Sequence, residues 1–335
     1  MTARILSLLA GVALAALAGS AQAQIKERNI RVSNGINEDH PVGNGVAKMR
    51  GCMAEKSGGK LKLQAFWGGA LGGDLQAAQA LRAGTQEMVI TSTSPLVGIM
   101  PELGVFDLPF LFTNEKEADA ILDGAFGKYI ADKLPGFGVV NLSYWENGFR
   151  NLTNSKRAVS KAEELTGLKV RVMQNNIFLD SFKSMGANAT PMAFGEVFAA
   201  LETHAIDGQE NPLVTIDTSK LYEVQKYLTL TRHAYTPFLM LYSKKLWDQL
   251  SAEEQTILTD CSIVGRDEER RVARDLNDKS LANLKSKGMQ VSEVTPDELT
   301  KMREATAAVY QRHQATIGKD TIDRIQADLA KIRGN

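Results

Sequence analysis

The sequence predicts an α/β fold. Short β-type runs alternate with helix-like stretches through most of the chain, the pattern of βαβ units with mostly parallel sheets, and helical signals dominate the last third. Composition bounds the class. The 335 residues hold two cysteines, too few for a disulfide scaffold or a Cys-built zinc module. A formal net charge of zero excludes the basic excess of a nucleic-acid binder, and 44% hydrophobic residues exclude a disordered chain.

In chain order, Arg4 precedes an apolar stretch from Ile5 to Ala18, followed by Gly19-Ser20 and Ala21-Gln22-Ala23. Such an A-x-A site after a short apolar run reads as a signal peptide over residues 1–23, with cleavage after Ala23 and a mature start at Gln24. The run is shorter than the roughly 20 residues of a spanning helix. Export to the periplasm allows Cys52 and Cys261 to pair; two separate buried thiols fit the sequence equally well.

Strands are predicted at Ile30–Val32, Leu61–Trp67, Met88–Thr93, Val139–Trp145, Leu168–Met173, Tyr227–Tyr242 and Met289–Val294. Helices are predicted between them at Pro41–Lys56, Asp74–Ala83, Glu115–Lys133, Ile177–Met185 and Phe194–Leu201. Ser251-Ala252-Glu253-Glu254 and Thr295-Pro296-Asp297-Glu298 read as capping boxes. Between them, Gly265 is the only breaker from Ala252 to about Lys287, so one long helix is expected, with further helices from Thr295 and Thr321.

Motifs for catalysis are missing: there is no H-E-x-x-H, C-x-x-C, G-x-S-x-G or Walker loop. His40, His204, His233 and His313 show no metal-ligand spacing, so no metal and no cofactor are expected. Gly68 to Gly73 lacks the Lys-Ser/Thr of a P-loop and reads as a strand-to-helix turn with Asp74 near the helix start. The informative residues are polar ones in apolar surroundings. Arg171 sits inside the strand from Leu168, where a charge is costly unless paired, and its planar fork suits a carboxylate. An internal acid would serve as well as a bound one. Trp145-Glu146-Asn147-Gly148-Phe149-Arg150 reads as a strand ending in an Asn-Gly turn, with a second arginine after it. Asp207-Gly208-Gln209-Glu210-Asn211-Pro212 reads as a polar loop.

These three segments occur in order with Leu71-Gly72-Gly73-Asp74, Phe106-Asp107-Leu108-Pro109-Phe110-Leu111-Phe112 and Thr190-Pro191-Met192-Ala193-Phe194-Gly195-Glu196-Val197. Together they closely resemble the periplasmic solute-binding subunit of TRAP (tripartite ATP-independent periplasmic) transporters, over essentially the whole mature chain. The resemblance implies a two-lobed periplasmic binding protein acting as a hinged trap. Each lobe would be a mixed, mostly parallel sheet flanked by helices, and a long helix would span both. Lobe I would comprise residues 24–147 plus about 236–276, and lobe II residues 148–235 plus about 277–335.

By the same resemblance Arg171 is the carboxylate-binding arginine, Arg150 a second arginine, Asn211 a ligand contact and Phe194 an aromatic packed on the ligand. Asn147 belongs to the same set. His40, Ser92 and Asp74 are the candidate hydroxyl partners in lobe I. His204 departs from the Gly or Asn of relatives and is read as a cap in left-handed backbone. The implied function is capture of an organic acid by lobe closure and delivery to the membrane subunits of a TRAP transporter, by a monomer, without catalysis. A polar first lobe ranks sugar acids first, hexuronates such as glucuronate or galacturonate in particular. C4-dicarboxylates come next, since two arginines also suit two carboxylates, then sialic acid and small hydroxy- or keto-acids. A receptor for a signalling partner and a secreted hydrolase are the readings from other classes.

Overall fold

The computed structural model describes residues 25–334; the signal-peptide reading, and with it the cleavage site, lies outside them. The first strands and helices follow the predicted alternation: β1 (Arg28–Asn34), α1 (Pro41–Lys56), β2 (Leu61–Phe66), α2 (Asp74–Ala83) and β3 (Met88–Ser92). The single helix expected over Glu115–Lys133 is two, α3 (Glu115–Leu122) and α4 (Ala125–Ala131). They are separated at Gly124, whose extended backbone starts the second. Next come β4 (Val139–Asn154), β5 (Lys169–Val172), α5 (Asn176–Ser184), β6 (Asn188–Pro191), α6 (Val197–Glu202) and β7 (Gly208–Pro212). The chain ends with α7 (Leu213–Thr218), β8 (Tyr227–Ser243), α8 (Lys244–Trp247), α9 (Ala252–Ser286), β9 (Gln290–Glu293), α10 (Pro296–Ile317) and α11 (Lys319–Arg333).

Among the described residues all nine strands join one sheet in the order β2-β1-β3-β8-β4-β7-β5-β6, with β9 alongside β8. Its outer parts, β2-β1-β3 and β7-β5-β6, are parallel. The antiparallel strands β8 and β4 run through both halves and join them. The Asn-Gly turn expected after Trp145 is not there. β4 continues to Asn154, and Asn147 is the extra residue of a bulge between Glu146, opposite Pro237, and Gly148, at φ 110° and opposite Thr236. A bulge absorbs the extra residue and bends the strand where a turn would have ended it, and Pro237 costs no ladder bond there.

One run read as a loop is a strand, β7, and a further strand, β6, lies where none is predicted. β7 is buried throughout although it spells Gly-Gln-Glu-Asn-Pro, because its side chains are satisfied by each other and by β4, as described below. β6 is short, largely exposed and paired with β5.

α9 is the expected long helix; at about 1.5 Å per residue its 35 residues reach about 52 Å. Ser251 and Glu254 form the predicted capping box. Arg28 of β1 holds its start through Glu254 at 2.9 Å, and Asn283 near its end donates to Asp217 of α7 at 2.6 Å. Between them, Arg270 and Arg274 pair with Asp123 and Asp119 of the α3 region. Gly265 is no breaker: it lets α9 approach α1. A Cβ there would lie 2.8 Å from the Gly45 carbonyl and 2.9 Å from the Trp145 ring. The same two helices are joined by the Cys52–Cys261 disulfide, with Cα atoms 5.5 Å apart.

The second capping box is half formed. Thr295 accepts from the Glu298 amide, while the Glu298 carboxylate takes a hydrogen bond from Lys301 instead. α10 lies along α5 and also, through Val309 and Ile317, against the core of Leu103, Phe106 and Phe126; α11 sits on α3 and α4, where Ile322, Ile325 and Leu329 join the same core. The apolar stripe of α11 faces the first half of the sheet.

Candidate functional site

A cavity lies between the two halves of the sheet. Asn34, Asp74 and Ser92 line it from the β1–β3 side. Arg171, Met192 and Phe194 line it from the β5–β6 side, and Asn147, Arg150 and Asn211 form its floor on β4 and β7. Seven of the eight sequence-predicted site residues thus meet around one cavity.

The eighth, His40, does not line it. It is buried as the N-cap of α1, where Nδ1 accepts from the Val42 amide at 3.3 Å. That leaves Nε2 to carry the proton and donate to Thr215 Oγ1, also 3.3 Å away, and Thr215 does line the cavity. Burial pushes His40 down to about 3, so the ring is neutral at ordinary pH. It sets the orientation of Thr215, a residue absent from the sequence-derived set.

The two arginines, alike in sequence, differ in state. Arg150 is fully paired. Its guanidinium is ion-paired with Glu210 and also donates to the Glu210 carbonyl at 2.6 Å and to Asn211 Oδ1 at 3.0 Å. Burial would raise Glu210, but the Arg150 charge and hydrogen bonds from His233 and Arg150 outweigh it and hold the carboxyl at about 2. His233 Nε2 lies 3.1 Å from Glu210 Oε2, and its Nδ1 lies 2.8 Å from Thr231 Oγ1. Asn211 donates onward to Gln209, and Gln209 to Thr153. This network is what makes the polar strand β7 buryable.

Arg171 is 3% exposed, yet no carboxylate lies within ion-pairing distance of it among the described residues. Nε and one terminal nitrogen both donate to the Met192 carbonyl, at 2.9 and 2.7 Å. The other terminal nitrogen, Nη1, is buried without a partner. Burial pushes the group down to about 10, against the more distant pull of Glu210 and Asp74, so it stays charged at neutral pH. The Phe194 ring centroid is 6.0 Å from its central carbon.

Across the cavity, Ser92 Oγ is likewise buried without a partner. Burial raises Asp74, opposed by a hydrogen bond from Thr91 and by the Arg171 charge. Gly35 lies beside it, where a Cβ would stand 3.3 Å from the Asp74 carboxylate. Asn147 reaches the cavity from the β4 bulge and donates to Thr236 at 3.0 Å. His204 has the predicted left-handed backbone, at φ 57°, and closes the end of α6. The arrangement thus holds one uncompensated buried cation on one wall and hydrogen-bonding groups on the other. Glu210 and Thr215 escaped the sequence reading. Glu210 stood inside a motif already singled out, but its partner Arg150 was read as following a turn, so the burial that makes Arg150 require an acid was not visible.

Comparison with known proteins gives a consistent picture. Residues 32–316 match the model of the bacterial extracellular solute-binding proteins, family 7. The 2,3-diketo-L-gulonate-binding periplasmic protein of Escherichia coli is 33% identical over 279 residues, 83% of this chain and 85% of that one. The sugar acid binding protein of Advenella mimigardefordensis, solved with galactonate, is 47% identical with a TM-score of 0.90, over 92% of this chain and 99% of that one. A TRAP periplasmic solute-binding protein of Sulfurospirillum deleyianum, solved with succinate, is 30% identical with a TM-score of 0.85, over 90% and 99%. The chain therefore belongs to the bacterial extracellular solute-binding proteins of family 7, the non-enzymatic, extracytoplasmic subunits that bind small organic acids for TRAP transporters.

Proposed function

We propose that this protein binds a sugar acid, a monocarboxylate carrying several hydroxyls, and hands it to the membrane subunits of a TRAP transporter. One observation carries the choice: Arg150 is already neutralised by Glu210, whereas Arg171 has a buried nitrogen with no partner. The cavity therefore offers one strong carboxylate position and not two. Asp74 on the opposite wall would repel a second carboxylate and accept from hydroxyls, and Ser92 and Thr215 add further partners. Similarity to the galactonate-binding protein supports the same reading, with aldonates and hexuronates such as galacturonate and glucuronate as the ligands to try first.

Closure supplies the mechanism. The lobes are the two halves of the sheet, meeting at the bulges of β4 and β8. A ligand that contacts both walls adds interactions present only when they come together, and so shifts the population toward the closed form. Around a dehydrated carboxylate, the Arg171 fork holds geometry as well as charge. The mature protein acts as a periplasmic monomer after cleavage behind Ala23.

A thermal-shift panel of the chain from Gln24 tests this. A sugar acid at 100 times its dissociation constant adds about 2.7 kcal/mol of stability, a shift of a few degrees. Galactonate, galacturonate or glucuronate should raise the melting temperature, and succinate and malate should not. A rise with succinate or malate alone would overturn the monocarboxylate reading in favour of a C4-dicarboxylate.

A further inference from the structure

The Phe106–Phe112 segment lines no part of the cavity, yet it places a buried carboxylate behind both of its walls. Asp107 is 1% exposed. Its Oδ1 accepts from Ser94 Oγ at 2.6 Å and from Thr93 Oγ1 at 3.4 Å. Its Oδ2 accepts from Asn175 Nδ2 at 2.6 Å. Thr93 and Ser94 lie between Ser92 and Pro95, which line the cavity after β3. Asn175 directly follows Met173 and Gln174, which line it after β5. The orientation of Asn175 is settled by its other role: Oδ1 caps α5 by accepting from the Ile177 amide at 2.6 Å, so only the amide nitrogen can face Asp107. A single carboxylate thus ties a loop of one half to a loop of the other. The same segment is stitched down again three residues on, where the Phe110 amide donates to the His233 carbonyl at 2.8 Å.

We propose that Asp107 is a positioning residue that sets the separation of the two cavity walls through Ser94 and Asn175, and thereby the affinity of the site. This rests on reading the cavity as a cleft that closes on its ligand. A buried hydrogen-bond hub with a purely structural role would alter stability when cut and leave wall separation and affinity alone.

Spin labels placed through Gln79→Cys on α2 and Glu202→Cys on α6 read the separation in the ligand-free protein. Both positions are exposed, and the native cysteines are occupied by their disulfide. Asp107→Ala should lengthen and broaden the label distance. Asp107→Asn should restore the wild-type value, since its carbonyl still accepts from Asn175 and its amide can donate to Ser94 Oγ. Asn175→Asp keeps the cap oxygen but removes the donor. It should behave like the alanine variant, and it carries the test where that variant does not fold. For any sugar acid that binds the wild type, the latch-cutting variants should weaken affinity about 10-fold, about 1.4 kcal/mol, with Asp107→Asn near wild type. A wild-type label distance in Asp107→Ala or Asn175→Asp overturns the proposal. Failure of every acid in the panel to bind would instead overturn the functional reading, and the label distances would still decide the role of Asp107.

Discussion

Arg150 and Arg171 lie on adjoining parts of the sheet, are equally buried and are separated in chemistry by a single carboxylate, Glu210. From sequence Arg171 was legible as a buried cation needing an anion, whereas Arg150 read as an arginine following a turn. Which one has it depends on the register of β7 against β4, a long-range fact that local pattern does not encode. The consequence is a ranking. Arg171→Ala should abolish measurable binding, since two charge-assisted hydrogen bonds at roughly 1.5–3 kcal/mol each amount to about a hundredfold or more in affinity. Arg171→Lys should recover little of it, because an ammonium offers no fork. Affinity within a few-fold of wild type in a calorimetric titration of either variant would remove Arg171 from the ligand. Asp107 gives a second residue-scale expectation. Burial pushes it up to about 7, against hydrogen bonds from Ser94 and Thr93 and the charge of Arg150. A carboxyl with a raised native pKa keeps its proton in the folded state at pH values where the unfolded chain has lost it. It therefore lowers stability as pH climbs from the ordinary carboxylate range to about 7. Buried carboxylates with lowered values, such as Glu210, act in the opposite sense, so the contrast to measure is with Asp107→Asn. That variant should gain on the wild type in urea midpoint between pH 5 and pH 8; parallel midpoints would show that Asp107 does not titrate there.

Among elements, those built on hydrophobic periodicity and caps were readable. α1, α2 and α9 begin and end close to where Pro41, Gly84 and Ser251 signal. Those built on polar complementarity were not. β7 has no alternation of apolar residues to betray it, and its burial is intelligible only once Gln209, Glu210 and Asn211 are seen to find Thr153 and Arg150. The β4 bulge was misread for a related reason: Asn-Gly favours a turn locally, and only the ladder to β8 turns it into a kink within a continuing strand. Pairing of Cys52 with Cys261 was similarly undetermined, since spacing says nothing of whether α1 and α9 touch. Their bond spans a sequence separation of 209 residues. By the chain-entropy argument, removing it should destabilise the protein by roughly 5 kcal/mol. Because both ends lie on one side of the cleft, ligand affinity should be unaffected. Denaturation and titration of a Cys52→Ala/Cys261→Ala double variant would check both halves of that statement, and a loss of affinity would mean that the bond also shapes the cavity.

At the scale of the whole molecule, the two halves are not beads on a string. The ladder of β4 with β8 continues through both, α9 rests on both, and α11 returns to the first. The α/β class and the long helix could be read from the alternation of strands and helices and the proline-free run after Ser251. The single sheet could not, because its order joins strands far apart in the chain. That order has a consequence for how the protein comes to exist. β3 ends at Ser92, and its partner β8 does not begin until Tyr227. On a chain delivered from the N-terminus, the first three strands can assemble early, but one flank of β3 pairs with Phe238–Tyr242 of β8 and must wait for roughly 145 further residues with its amides and carbonyls open to any passing strand. Biogenesis of this protein therefore includes an interval in which a hydrophobic edge needs shielding, and the chain's quality control should be most sensitive to lesions that delay the arrival of β8.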